Sequence, residues 1–407
     1  MHIPASVTRA SRELKLFVAA SLVMGIAYSM YESTFNNFVN ERFALTGLQR
    51  SLLELPRELP GFLVVFVSAA LYSLPSRRLG AFALLLGVAG ALLVGFVPST
   101  YAVLALCVFV YSMGQHLFMP LSSSIGMELA REGQVGRRLG QLNAVRNFAT
   151  ILGSFFVFLG FRFLGFRFHH TFILTAIGLG VAATLMFLMK PGPAQKPQAF
   201  LKLHREYRLY YVLNVLSGSR RQIFATFVPW VIVSIFQQPT QTLATLMTMG
   251  GVIGIVFQPM LGRAIDRFGE RLILQAEAAT LVFICLGYAV AKSVFPVGTA
   301  LLVVCGLYLL DHMLLSVNMA RAMYMKRIAT DESHVQPALT AAVTIDHVFS
   351  ILVALLAGVI WNTLGFQRVF LLGMLISALN FLVVSRIRTA PRRHPPQDGV
   401  SVPMPAE

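Results

Sequence analysis

Asp311-His312 and Asp346-His347 are two dipeptides of the same composition, each set in the middle of a long apolar run in the second half of the chain. A carboxylate in a dry setting holds a proton more readily than in water, and an imidazole exchanges one near neutrality. Such groups can load a proton on one side of a barrier and release it on the other. The same residue types suit a transition metal if packing gathers both pairs at one point. Adjacent placement opposes that, because only one member of each doublet easily faces a given point. A third reading is structural hydrogen bonding.

Arg220 and Arg221 also stand in an apolar run. Neighbours on a helix point about 100° apart, so the two cannot share one partner. One can take an anionic group of a solute while the other pairs with Glu32, Asp311 or Asp346. With Glu32, His116, Arg146 and Asn318 they form the candidate substrate cavity. His116, beside Gln115, also reads as a satisfied interior histidine, and Arg146 as the structural partner of an acid. Glu54, Arg57 and Glu58 have i, i+3, i+4 spacing and share one helix face. They read as an outer ion-pair network, either one that opens and closes or a static one. Pro56 and Pro60 beside them suggest a kinked helix. His169-His170, in an aromatic and arginine-rich stretch, reads as interfacial anchoring.

The elements that would hold these residues cross a bilayer. The 407 residues are 56% hydrophobic and 12% charged, whereas soluble domains carry roughly 25% charged residues. Apolar runs long enough to span about 30 Å of hydrocarbon recur along the chain. About twelve spans are expected: Lys15–Asn37, Gly47–Leu74, Leu79–Val97, Tyr101–Ile125, Gly140–Gly160, Thr171–Met189, Tyr207–Phe236, Thr240–Leu261, Leu272–Ala291, Val297–Met325, Ala338–Trp361 and Val369–Val384. A buried carboxylate at a helix centre costs roughly 2.5–3.5 kcal/mol on insertion scales, so each charge within a span needs a wet cavity or a partner. The first run is too long for a cleaved signal peptide.

With both termini on one side, most loop Lys and Arg fall there, from Arg9, Arg12 and Lys15 through Arg77, Arg78, Lys190 and Lys202 to Arg386. The opposite side has only Arg42, Arg50, Arg162, Arg167, Lys292 and Arg368. The first side is therefore read as cytoplasmic, and the net charge of +16 as this bias rather than as a nucleic-acid surface. Cys107, Cys285 and Cys305 sit inside apolar runs, with no disulfide or metal-ligand spacing. No P-loop, no H-E-x-x-H and no serine elbow occurs, and the loops are too short for a catalytic domain. No enzyme, resident metal or cofactor is expected.

The expected organisation is a cytoplasmic segment over 1–14, a helical bundle over 15–190, a Pro- and Lys-rich linker over 191–206, a second bundle over 207–386 and a disordered cytoplasmic tail over 387–407. A faint repeat places Gln115-His116 opposite Asp311-His312, and Arg146-Asn147 opposite Asp346-His347. Charge within the spans avoids the third, sixth and twelfth, and in the ninth is only Glu277 near one end. Those four read as lipid-facing supports and the others as the wall of a polar pathway.

This pattern resembles the major facilitator superfamily, in particular bacterial members of unassigned substrate. The segment from Gly262 to Arg271, GRAIDRFGER, is similar to that family's G-x-x-x-D-R-x-G-x-R loop. The loop Ser73–Gly80 of the first half lacks the Asp. The resemblance implies an all-α integral membrane protein with the MFS fold, two halves of about six helices related by a pseudo-two-fold axis. It implies a cytoplasmic gate in which Gly262, Asp266, Arg267, Gly269 and Arg271 form a latch, Asp266 facing a helix N-terminus and Arg267 and Arg271 pairing with acids such as Glu277. The function expected is secondary active transport of a small organic solute, coupled to protons through Asp311, His312, Asp346 and His347, by a monomer in a bacterial inner membrane with both termini cytoplasmic. The alternatives are a divalent-metal transporter that uses the Asp-His pairs, and a sensor or lipid-handling member of the fold.

Overall fold

The computed structural model describes residues 5–71, 73–130, 134–192, 203–331 and 334–387. Residues 193–202 of the expected linker and 388–407 of the expected tail lie outside the described residues. Every expected span is helical. The first half comprises α1 (Ala5–Phe43), α2 (Gly47–Leu52), α3 (Glu54–Ala70), α4 (Ser76–Phe96), α5 (Tyr101–Glu128), α6 (Val135–Phe163) and α7 (Phe168–Leu188). The second comprises α8 (Arg208–Trp230) with a π turn over Val231–Ile235, α9 (Thr240–Phe268), α10 (Glu270–Val294), α11 (Val297–Leu314), α12 (Asn318–Ile328), α13 (Val335–Leu364) and α14 (Phe366–Val384). Among the described residues, ten helical segments are long and apolar enough to cross a membrane, α11 and α12 forming one of them. The remaining two stretches, α2–α3 and α8, carry Arg50, Glu54, Arg57 and Glu58, and Arg220 and Arg221.

The breaks have local causes. The second span splits at Leu53 because Pro56 has no N–H to offer the carbonyl of Leu52. Its start is held by a capping box, in which Gln49 N–H donates to Thr46 Oγ1 at 3.2 Å and Thr46 N–H to Gln49 Oε1 at 3.0 Å. A π turn follows Pro229 at the end of α8. The tenth span is bent by a 3₁₀ turn over Leu315–Val317. One glycine joins α9 to α10, Gly269 at φ 82°, and another joins α13 to α14, Gly365 at φ 88°. Both positions disfavour a Cβ. The first helix begins at Ala5, ahead of the expected Lys15, and its buried Glu13 accepts the Lys190 N–H at 3.0 Å.

Each half has its own apolar core. The supports α4 and α7, and α10 and α14, make their extensive contacts within their own halves. Two long seams join the halves, α6 against α9 and α2–α3 against α13. In span order these are five with eight and two with eleven, a pattern that exchanging the halves leaves unchanged. The pseudo-two-fold axis is visible in side chains as well. A Cβ at Gly61 in the second span would lie 2.8 Å from the His116 ring, and one at Gly250 in the eighth 2.7 Å from the His312 ring.

The seams close at the end away from the basic loops. There Asn37 donates to the Gln238 carbonyl at 2.8 Å, and Gly47 lies against Trp361 so closely that a Cβ would be 2.1 Å from its ring. Toward the basic loops, cavities lie among α6, α9, α12 and α13.

Candidate functional site

The larger cavity, about 530 Å³, is shared by both halves. Arg146 and Asn147 of α6, Gly250 and Gln258 of α9, His312 of α11 and Ser316 and Asn318 beyond the bend line it. Asn147 donates to Gln258 Oε1 across the seam at 3.1 Å. Arg146 donates to the Ser122 hydroxyl at 2.6 Å, and among the described residues no carboxylate pairs with it. A guanidinium in a low-dielectric cavity whose partner is a hydroxyl keeps donors that can serve a carboxylate or phosphate. Beside this space, a pocket of about 230 Å³ in the second half is lined by Asn214, Gly218, Arg221, Asn318, Arg321 and Asp346, among others.

Arg220 and Arg221 diverge as the helix angle requires, and each takes an aspartate. Arg220 donates to Asp311 Oδ2 and Arg221 to Asp346 Oδ2. Asp311 is fully buried and Arg220 nearly so, whereas the Arg221 side chain is 46% exposed toward the pocket. In both aspartates Oδ1 is buried without a hydrogen-bond partner. That oxygen can take a proton while Oδ2 keeps its guanidinium. Arg220 is thus paired within its own half, and it also lines the smaller pocket.

The doublets do not converge. Asp311 faces Arg220 while His312 lies on Gly250 and stacks on Tyr308 at 6.0 Å. Asp346 faces Arg221 while His347 Nδ1 lies 2.8 Å from Glu58 Oε2 of the other half. The geometry therefore overturns a metal site built from both Asp-His pairs. Glu32 and His116 line neither cavity. Glu32 accepts from Arg57 at 2.5 Å, and His116 meets the His347 ring at 5.1 Å between centroids.

Glu54, Arg57 and Glu58 share a helix face. Arg57 holds Glu32 and also ion-pairs with Glu54 at 3.8 Å. Glu54 is held by Arg50 at 2.6 Å and, across the halves, by Gln222 at 3.0 Å. Glu58 faces His347. Arg50, expected as a loop charge, is completely buried and also donates to Asn36 at 3.0 Å. Its i, i+4 spacing from Glu54 is the signal that could have placed it.

In the last turns of α9, Asp266 and Arg267 are exposed, and a Cβ at Gly262 would meet nothing within 4 Å. Glu277 is bound by Arg321 at 2.7 Å, not by the loop arginines, and Arg327 of α12 pairs with Glu270 at 3.1 Å. Both pairs tie the bent tenth span to the start of α10, inside one half. In the first half, Arg77 pairs with Glu128.

Gly218 is required by the site. A Cβ there would lie 1.4 Å from Asp346 Oδ1, so the carboxylate rests on the α8 backbone one turn before Arg221. Gly218→Ala is expected to cost about 1–3 kcal/mol through overpacking and to push Asp346 away from Arg221. Thermal unfolding in detergent beside Gly262→Ala, which has room, checks this.

The profile of the Major Facilitator Superfamily matches residues 58–318 and 210–405, and the chain belongs to that family of membrane transporters. No curated protein sequence gives a significant match. Among solved structures, the nucleoside transporter NupG is 13% identical with a TM-score of 0.73, covering 93% of this chain and 100% of that one. The D-xylose-proton symporter is also 13% identical, with a TM-score of 0.71 over 93% of this chain and 98% of that one. An auto-inhibited POT family peptide transporter is 12% identical, with a TM-score of 0.73 over 94% and 99%. At such identities the likeness concerns the fold.

Proposed function

We propose that this protein carries a small organic solute bearing an anionic group across a bacterial inner membrane, coupled to protons and working by alternating access as a monomer. The observation that carries the reading is Arg146, a guanidinium with no acid partner among the described residues, facing the cavity between the halves. The surrounding amides of Asn147, Gln258 and Asn318 offer hydrogen bonds to the rest of a polar solute. Of the solved structures above, the D-xylose-proton symporter is coupled to protons, which favours the same driving force here.

The positive-inside bias puts the basic loops in the cytoplasm, so this conformation opens inward. The contacts Glu54–Gln222, Glu58–His347 and Asn37–Gln238 hold the outer end shut and part when the halves rock. The loop from Gly262 to Arg271 closes the inner end in the other state. Gly262 then needs to be small, although it faces open space now.

Proton and solute meet through the smaller pocket. Asp346 lies on its wall with Oδ1 spare, and Arg221 is partly exposed there. Protonation of Asp346 loosens its hold on Arg221 and gives the solute a second cation. His312, on the wall of the larger cavity, can relay the proton, and Asp311 with Arg220 serves as the buried support.

A screen of small carboxylates, phosphates and sulfonates by thermal stabilisation of the purified protein tests the substrate reading. At least one is expected to raise the Tm of the parent, because a ligand that binds only the folded state stabilises it, and to leave Arg146→Gln unmoved. Equal stabilisation of both proteins, or stabilisation by neutral and cationic compounds alone, contradicts an anion site at Arg146.

A further inference from the structure

We propose that Glu58, His116 and His347 form a binding site for a divalent transition-metal ion of the zinc or cobalt class, set between the two halves. Glu58 comes from α3, His116 from α5 and His347 from α13, and one ligand atom from each lies within 4.8 Å of the others. Two imidazole nitrogens and one carboxylate oxygen are a known ligand set for zinc with a fourth position open. Imidazole donors favour zinc, cobalt, nickel and copper over magnesium or calcium.

Three further features make this a built site. His116 Nδ1 lies 3.0 Å from the Ser112 carbonyl oxygen. An N–H donated there leaves the other ring nitrogen, Nε2, with its lone pair, the arrangement that metal-bound histidines use. Second, both rings rest on a glycine: a Cβ at Gly61 would be 2.8 Å from His116 Cδ2 and 2.8 Å from His347 Nδ1. Third, the neighbouring charges are committed elsewhere. Arg57 is held by Glu32, and Asp346 by Arg221. Glu58 is the carboxylate left facing the rings, and its Oε2 now shares a proton with His347 Nδ1 at 2.8 Å. An ion entering between these two atoms takes the Nδ1 lone pair, and the N–H of the neutral ring then sits on Nε2.

The symmetry-related place in the other half lacks the donors. His312 rests on Gly250 there, but α6 presents Asn147, which is bonded to Gln258. The fold repeats the pocket and the chain supplies the ligands once. An ion held by α3, α5 and α13 joins both halves where they are shut, so on the alternating-access reading it must leave before that end opens.

Cobalt(II) titration of the full-length purified protein, followed by its visible absorption, tests the site. The parent is His334→Ala, which removes the other His–Glu grouping, His204, Glu206 and His334 at the basic end. One ion per chain is expected. Glu58→Gln, His116→Ala and His347→Ala are each expected to weaken binding by at least about tenfold, the scale on which even supporting residues act. Gly61→Ala removes no ligand but crowds both rings, and is expected to weaken binding too. Zinc is expected to raise the Tm of the parent and not of the ligand variants, each compared with its own metal-free Tm. No cobalt absorption in the parent, or the same absorption in all the ligand variants, overturns the proposal. Neither readout involves solute or proton flux, so the transport reading stands or falls separately.

Discussion

Asp311→Ala is expected to destabilise the protein by about 3–5 kcal/mol, and Arg220→Met combined with Asp311→Leu to regain most of that loss. Asp311 is fully buried and Arg220 is 6% exposed. Removing one partner leaves a guanidinium in a medium that cannot solvate it, and no other carboxylate among the described residues pairs with Arg220. Replacing both removes the attraction and the desolvation penalty together, so the double variant is expected near the parent. Urea or thermal unfolding in detergent of the parent, Asp311→Leu, Arg220→Met and the combined variant checks this as a double-mutant cycle. The expected coupling is large and favourable in sign. Near-additive losses would mean that the two charges are solvated separately.

Glu54→Leu is expected to have an effect of the same size, about 3–5 kcal/mol, with a second consequence. Glu54 is the partner of Arg50, whose side chain is fully buried, and it accepts from Gln222 of the other half. The substitution strands Arg50 and removes one bond that holds the halves together at this end. Gln222→Leu removes only the second, so it is expected to cost less while loosening the same end. Unfolding of the two variants side by side separates the roles. Labelling of cysteines introduced at Leu45 and Phe236, both buried near this end, reports its opening. Equal stability losses in the two variants would contradict this division.

Much of this was legible in the sequence because it follows from period and hydrophobicity. Run lengths placed the spans, and charge placed in apolar runs marked the polar pathway. The angle between adjacent helix residues required separate partners for Arg220 and Arg221, and the structure gives them Asp311 and Asp346. The same angle splits each Asp-His doublet, so that the acid serves one neighbour and the imidazole another.

What was not legible depends on contacts between residues far apart in the chain. Glu58 meets His347 across 289 positions, and no local pattern announces such a meeting. Glu277 was expected to serve the α9–α10 loop because it is close in sequence, but Arg321 reaches it from the bent tenth span. Gly61 and Gly218 carried no signal among 31 glycines, since a glycine required by a neighbouring side chain differs from any other only once that neighbour is in place. Arg50 read as a loop charge because it lies at the mouth of a span, yet Asn36 and Glu54 enclose it.

We propose that solute movement is coupled to protons through Asp346. The most direct test is acidification of liposomes that hold the purified protein, recorded with a trapped pH dye while small organic anions are added, with Asp346→Asn run beside the parent. An anion which stabilises the parent is expected to move protons with it, and Asp346→Asn is expected to bind that anion but move no protons. Solute transport with no proton movement in the parent, or unchanged proton movement in Asp346→Asn, would contradict it.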